Sequence, residues 1–160
     1  MDQDLYLHGL IGGDSDDTVE WKRPTDWLPV PDLAVDDDKI YILMAIQETT
    51  ANFIAFYIET NGDGSYEVDW GDDSTDIFQA ENAYHQYNWD DISSETLTSD
   101  GYRQVLITIT PIVGVNDITA VDFTTISHPQ ANQDYSSLIY ELKLNCPEAV
   151  SVVISEENKS

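Results

Sequence analysis

The sequence predicts an all-β fold, a sandwich of seven or more short strands. Two observations carry the expectation. Runs rich in β-branched and aromatic residues recur at roughly 8–12-residue spacing, each bounded by turn formers. No stretch combines a helical apolar period with end caps. Strands without helices between them bury their apolar faces against a second sheet.

Residues 1–20 are rich in Asp and Gly, with GGDSDD at 12–17, and hold one apolar patch, LYLHGLI. A polar, glycine-broken lead has little to pack on by itself, so an extended arm is expected. Its Leu5, Tyr6, Leu7, Leu10 and Ile11 are the expected assembly contacts. Residues 21–38 follow. Their first twelve, WKRPTDWLPVPD, hold three prolines and two tryptophans. Proline fixes φ and removes a backbone donor, so an irregular or edge strand is expected here. Trp21 and Trp27 are expected to cover one end of the core and to contribute to assembly.

A β-domain is expected over 39–155, with a polar tail at 156–160. KIYILMAI (39–46) and NFIAFYIE (52–59) read as its first strands. TNGDGSYEVDW then reads as a tight turn into a strand with Tyr66, Val68 and Trp70 on one face and Glu67 and Asp69 on the other. YRQVLITIT (102–110), ITAVDFTTI (118–126), SSLIYELKL (136–144) and AVSVVIS (149–155) supply the rest. Cys146, the one cysteine, is expected to be small, half-buried and inert at a strand end.

Composition bounds the function. The 160 residues suit one domain with a real core, and 41% hydrophobic residues provide one. Thirty-one acidic against six basic side chains give a formal net charge of -25. That field repels phosphate backbones and anionic membrane surfaces, so neither nucleic acid nor membrane is an expected partner. It favours high salt, divalent cations or a basic docking surface. No signal peptide and no apolar run of spanning length is read in the sequence.

YEVDWGDDST (66–75), AYHQYNW (83–89) and DGYRQVLITIT (100–110) together resemble the core of polycystic-kidney-disease-like (PKD-like) immunoglobulin-type domains. In that family a strand runs into a W-G-D-G corner, followed by an H-x-Y strand and a G-x-Y strand. The resemblance implies an immunoglobulin-like sandwich and covers residues 53–112. Its motif residues here are Asp69, Trp70, Gly71, Asp72, His85, Tyr87, Gly101 and Tyr102, with Asp73 standing where the family has glycine. Trp70 would plug the core, and Gly71 would take a backbone conformation that a β-carbon disfavours. His85 and Tyr87 would close the core and hydrogen-bond near the corner.

The wider order of WKRPTDWL (21–28), VDWGD (68–72), AYHQYNW, GYRQVLITITP (101–111) and SSLIYELKLNCPE (136–148) resembles a domain of virion structural proteins in tailed bacteriophages. This implies a non-enzymatic capsid decoration or head-surface subunit, with other virion proteins as partners and self-association in view. A tail or head fibre that binds a receptor or glycan is the alternative; a secreted or surface PKD-like binding domain is the second. For a receptor role the aromatic candidates are Trp21, Trp27, Trp89 and Tyr135.

Catalysis is not expected. The histidines, His8, His85 and His128, are scattered, and no nucleophile-base motif or phosphate-binding glycine loop is present. No cofactor is expected. The competing site is a calcium site using Asp63, Asp72 and Asp73. NGDGS (61–65) offers oxygens at alternate positions, and Asp72 falls eleven residues after Asn61. Tyr66 breaks the loop pattern where glycine is needed, so a hairpin turn is the preferred reading.

Overall fold

A computed structural model describes residues 21–62, 64–79, 81–112, 117–123 and 139–153. The expected arm, the 156–160 tail, Asp63 and Tyr135 lie outside the described residues. Nine strands are described: β1 (Lys39–Ile46), β2 (Asn52–Thr60), β3 (Ser65–Asp69), β4 (Thr75–Gln79), β5 (Asn82–Tyr87), β6 (Arg103–Pro111), β7 (Ile118–Asp122), β8 (Ile139–Asn145) and β9 (Ser151–Val153). They form a five-stranded sheet, β4-β3-β6-β1-β8, and a four-stranded sheet, β5-β2-β7-β9. All described pairings are antiparallel except β7 with β9. Two single-turn 3-10 helices, Trp89–Asp91 and Ser94–Thr96, lie between β5 and β6. The all-β two-sheet expectation therefore holds.

The core follows from side-chain alternation. Ile40, Ile42, Met44 and Ile46 of β1 face Ile54, Phe56 and Ile58 of β2 within one cluster that also takes in Tyr66, Val68 and Trp70. Tyr66, Val68 and Trp70 are buried, while Glu67 and Asp69 are exposed, as the alternation predicts. β1 reads as a continuous apolar run because its second face is covered too. Leu43 is fully buried although it lies outside the main core cluster.

The cover on that second face is residues 21–38, which form a strap without regular strand structure. Its bonds to the sheet run in chain order. Arg23 pairs with Glu141 at 2.7 Å. Gln104 accepts from the amide of Leu28 and donates to the carbonyl of Asp26, both at 2.9 Å. Lys143 donates to the carbonyl of Val30 at 3.1 Å, and the Asn145 amide donates to Ala34 at 2.7 Å. In the register of β1, Gln104 lies opposite Ala45, Glu141 opposite Leu43, Lys143 opposite Tyr41 and Asn145 opposite Lys39.

This strap corrects one expectation. Trp21 and Trp27 do not plug an end of the core; Trp27 stacks on Tyr140 at 4.5 Å and 2°. Trp21 tilts against Trp27 at 6.3 Å and remains 53% exposed. Tyr140 can meet the strap because the β1–β8 register shifts between Leu43 and Met44, leaving Tyr140 as the extra residue. A second correction is one of bounds: β6 begins at Arg103 and includes Pro111, so Tyr102 precedes the strand.

Candidate functional site

The corner between β3 and β4 gathers Asp69, Asp72, Ser74, Asp76 and His85 into one hydrogen-bonded cluster. Gly71 holds φ +78°, and a β-carbon there would lie 2.6 Å from the Leu106 carbonyl oxygen. No L-residue with a side chain fits that approach without moving β6. The turn satisfies its own backbone: Asp69 accepts from the Gly71 amide at 3.0 Å, and Asp72 Oδ1 accepts from the Ser74 amide at 3.1 Å and from the Ser74 hydroxyl. Such local bonds favour Asp and Ser in turns. Trp70 donates from its amide to the Ser74 carbonyl at 3.0 Å, closing the hairpin.

The corner is bonded across to the other sheet. The Tyr87 hydroxyl of β5 donates to the Trp70 carbonyl at 2.9 Å. His85 Nε2 lies 2.8 Å from Asp72 Oδ2. Its ring is stacked on Trp70 at 4.7 Å and 11° and met edge-on by Tyr87 at 4.6 Å. The Trp70 indole N–H donates to Asp76 Oδ2 at 2.9 Å. Burial pushes the Asp72 carboxyl up, but hydrogen bonds from Ser74 and His85 and the charge of the imidazole outweigh it and hold the group below its ordinary value. Burial raises the Tyr87 hydroxyl well above its ordinary value, so it serves as a neutral donor.

Chemically, a His–carboxylate pair can carry a proton. Here the imidazole is pinned by two aromatic rings, and among the described residues its one hydrogen bond is to Asp72. Asp72 in turn divides its two oxygens between Ser74 and His85. The arrangement acts as a strut between the sheets.

Other predicted residues fall elsewhere. Gly101, at φ +84°, and Tyr102 form a turn before β6, where the Gly101 amide donates to Thr98 and the Thr98 amide to Tyr102. Asp73 is exposed at φ +67°. Asp63 lies outside the described residues, and among those described no three His, Cys, Asp or Glu side chains gather as metal ligands. Trp89 is half-buried, with the Arg103 guanidinium 4.3 Å from its ring centre and bonded to its carbonyl at 2.7 Å. It borders an open cleft of about 390 Å³ together with Glu48, Thr50, Gln86, Asn88 and Asp90. Cys146 is half-buried just past β8, its thiol pushed up to about 12 chiefly by burial.

Sequence reasoning missed Gln104 and Arg23, two of the four side chains that fix the strap. Gln104 is the one polar residue among the first five of β6 that is fully buried, and nothing local distinguishes it. Among the described residues no helix is long and apolar enough to cross a membrane. Comparisons with family models, with curated proteins and with solved structures find no match.

Proposed function

We propose that the chain is a non-enzymatic structural protein of a tailed-phage virion, a PKD-like sandwich that decorates the particle surface. The observation that carries the reading is the strap. Residues 21–38 are fastened along the outer face of the five-stranded sheet by Arg23, Gln104, Lys143 and Asn145. A lead fastened in this way transmits force from residues 1–20 to the sandwich, as a tethered surface subunit requires. Two further facts support it. The motif order resembles the phage domain along most of the chain, and the corner's His85, Asp72, Tyr87 and Trp70 bond to one another.

The mechanism is binding alone. The arm docks on the particle, ordering at an entropic cost offset by buried contact area. The strap fixes the direction of exit, and the acidic sandwich faces solvent. Deleting residues 1–20 should leave a folded sandwich that no longer co-sediments with the particles, whereas retained attachment would exclude the arm as the tether.

A further inference from the structure

Among the described residues, strand β4 bounds the five-stranded sheet and pairs with β3 on one side only. The Trp70 amide donates to the Ser74 carbonyl across this hairpin. In an antiparallel ladder bonded and non-bonded pairs alternate. The opposed pairs Asp69 with Thr75, Glu67 with Ile77 and Ser65 with Gln79 are therefore the non-bonded ones. Consistent with this, the Ser65 carbonyl accepts from Ile112 on the β6 side at 3.2 Å. The N–H and C=O groups of Thr75, Ile77 and Gln79 thus point outward along the free edge.

Such an edge is a template for another strand, and proteins usually blunt it with Lys, Pro or a bulge. TDIFQ has neither residue, and its pairing with β3 runs without a register shift. Ile77, at its centre, is 62% exposed.

We propose that β4 is a self-pairing edge, at which two copies of this chain join antiparallel about Ile77. In that register Ile77 meets its own counterpart, Thr75 meets Gln79 and Asp76 meets Phe78. The three residues with outward backbone groups fall into bonded pairs, each exchanging two hydrogen bonds. No carboxylate stands opposite another, and Asp76 already accepts from Trp70. The nearest like charges across the seam are the two Asp76 carboxylates, diagonal neighbours about 7–8 Å apart whose repulsion salt screens; on the Ile77 face the nearest are the Glu67 residues, one strand inward from Ile77 in each copy. Three strand spacings put them about 14 Å apart, beyond a Debye length of about 8 Å at physiological ionic strength. The two-fold pairing consumes both β4 edges, so assembly through β4 closes at a dimer joined through one continuous sheet.

The test is the mass of the full chain by sedimentation equilibrium at ionic strengths of about 0.01 M and about 1 M. The unaltered chain should show a concentration-dependent dimer that tightens with salt. Ile77→Pro removes an outward-pointing N–H that the β3 ladder does not use. Ile77→Lys places a charge at the two-fold. Both variants should lose the dimer while keeping the near-ultraviolet circular dichroism of Trp70. Should a variant unfold, amide exchange in the unaltered chain decides: the Thr75, Ile77 and Gln79 amides should slow as protein concentration rises. A chain that is monomeric throughout, dimers that persist in both folded variants, or edge amides indifferent to concentration would each overturn the proposal. None of these readouts depends on a virion role.

Discussion

Asp73 occupies the left-handed region at φ +67°, at the position where the PKD-like pattern has glycine. A non-glycine residue there costs about 1 kcal/mol, somewhat less for Asp, a residue type that tolerates this region better than most. Asp73→Gly should therefore raise the melting temperature slightly. Gly71, two residues earlier, gives the opposite result. Gly71→Ala combines φ +78° with a β-carbon 2.6 Å from the Leu106 carbonyl, and should cost about 2 kcal/mol or more in chemical denaturation. At Asp38, Oδ2 accepts from the Ile118 amide at 2.8 Å while buried Oδ1 has no hydrogen-bond partner among the described residues. Burial first, then the charges of Asp117 and Glu148, raise its pKa against the pull of the Ile118 amide. A carboxyl with a raised folded pKa destabilises the native state above that pKa, and the penalty disappears as pH falls toward the unfolded value near 4. Asp38→Asn keeps an acceptor for Ile118 and should stabilise the protein at pH 7, with the gain fading in thermal melts below about pH 4.

Single strands were legible wherever alternation and composition agreed. β1 and β2 are long β-branched and aromatic runs, and β3 alternates Tyr66, Val68 and Trp70 with acids. β4 was not legible, because TDIFQ sets its two apolar residues side by side and shows no period of two. The corner's residues were named from their motif, but the bond from His85 to Asp72 depends on how β5 lies against the β3–β4 turn, which no local pattern encodes. The strap was read as irregular from its prolines; its place on the outer face was not, since Arg23 and Glu141 are 118 residues apart. That placement is testable. Trp27→Ala removes the stack on Tyr140 and should cost about 1 kcal/mol or more, with residues 21–38 becoming the first site of limited proteolysis. Unchanged protease resistance would mean that the side-chain bonds alone hold the strap.

Across the whole molecule, net charge and the corner act in opposite directions with solvent. Self-repulsion at -25 should be screened by salt, so thermal stability should rise between about 0.01 M and about 1 M ionic strength. The depressed Asp72 carboxyl stabilises the fold above its unfolded value near 4, and that contribution is lost as pH falls through its lower folded value. Removing the charge by Asp72→Asn, which keeps only one of the two acceptor oxygens, should therefore reduce stability at neutral pH and flatten the acid limb of the profile. These properties describe a sandwich held by its corner and its strap, suited to presentation on a surface. The most direct test of the virion reading is a high-resolution reconstruction of the native particle. The account predicts sandwich density repeated in regular symmetry on the outer shell, joined to it through the residues preceding the strap. Purified particles that contain no copies of the chain would contradict it.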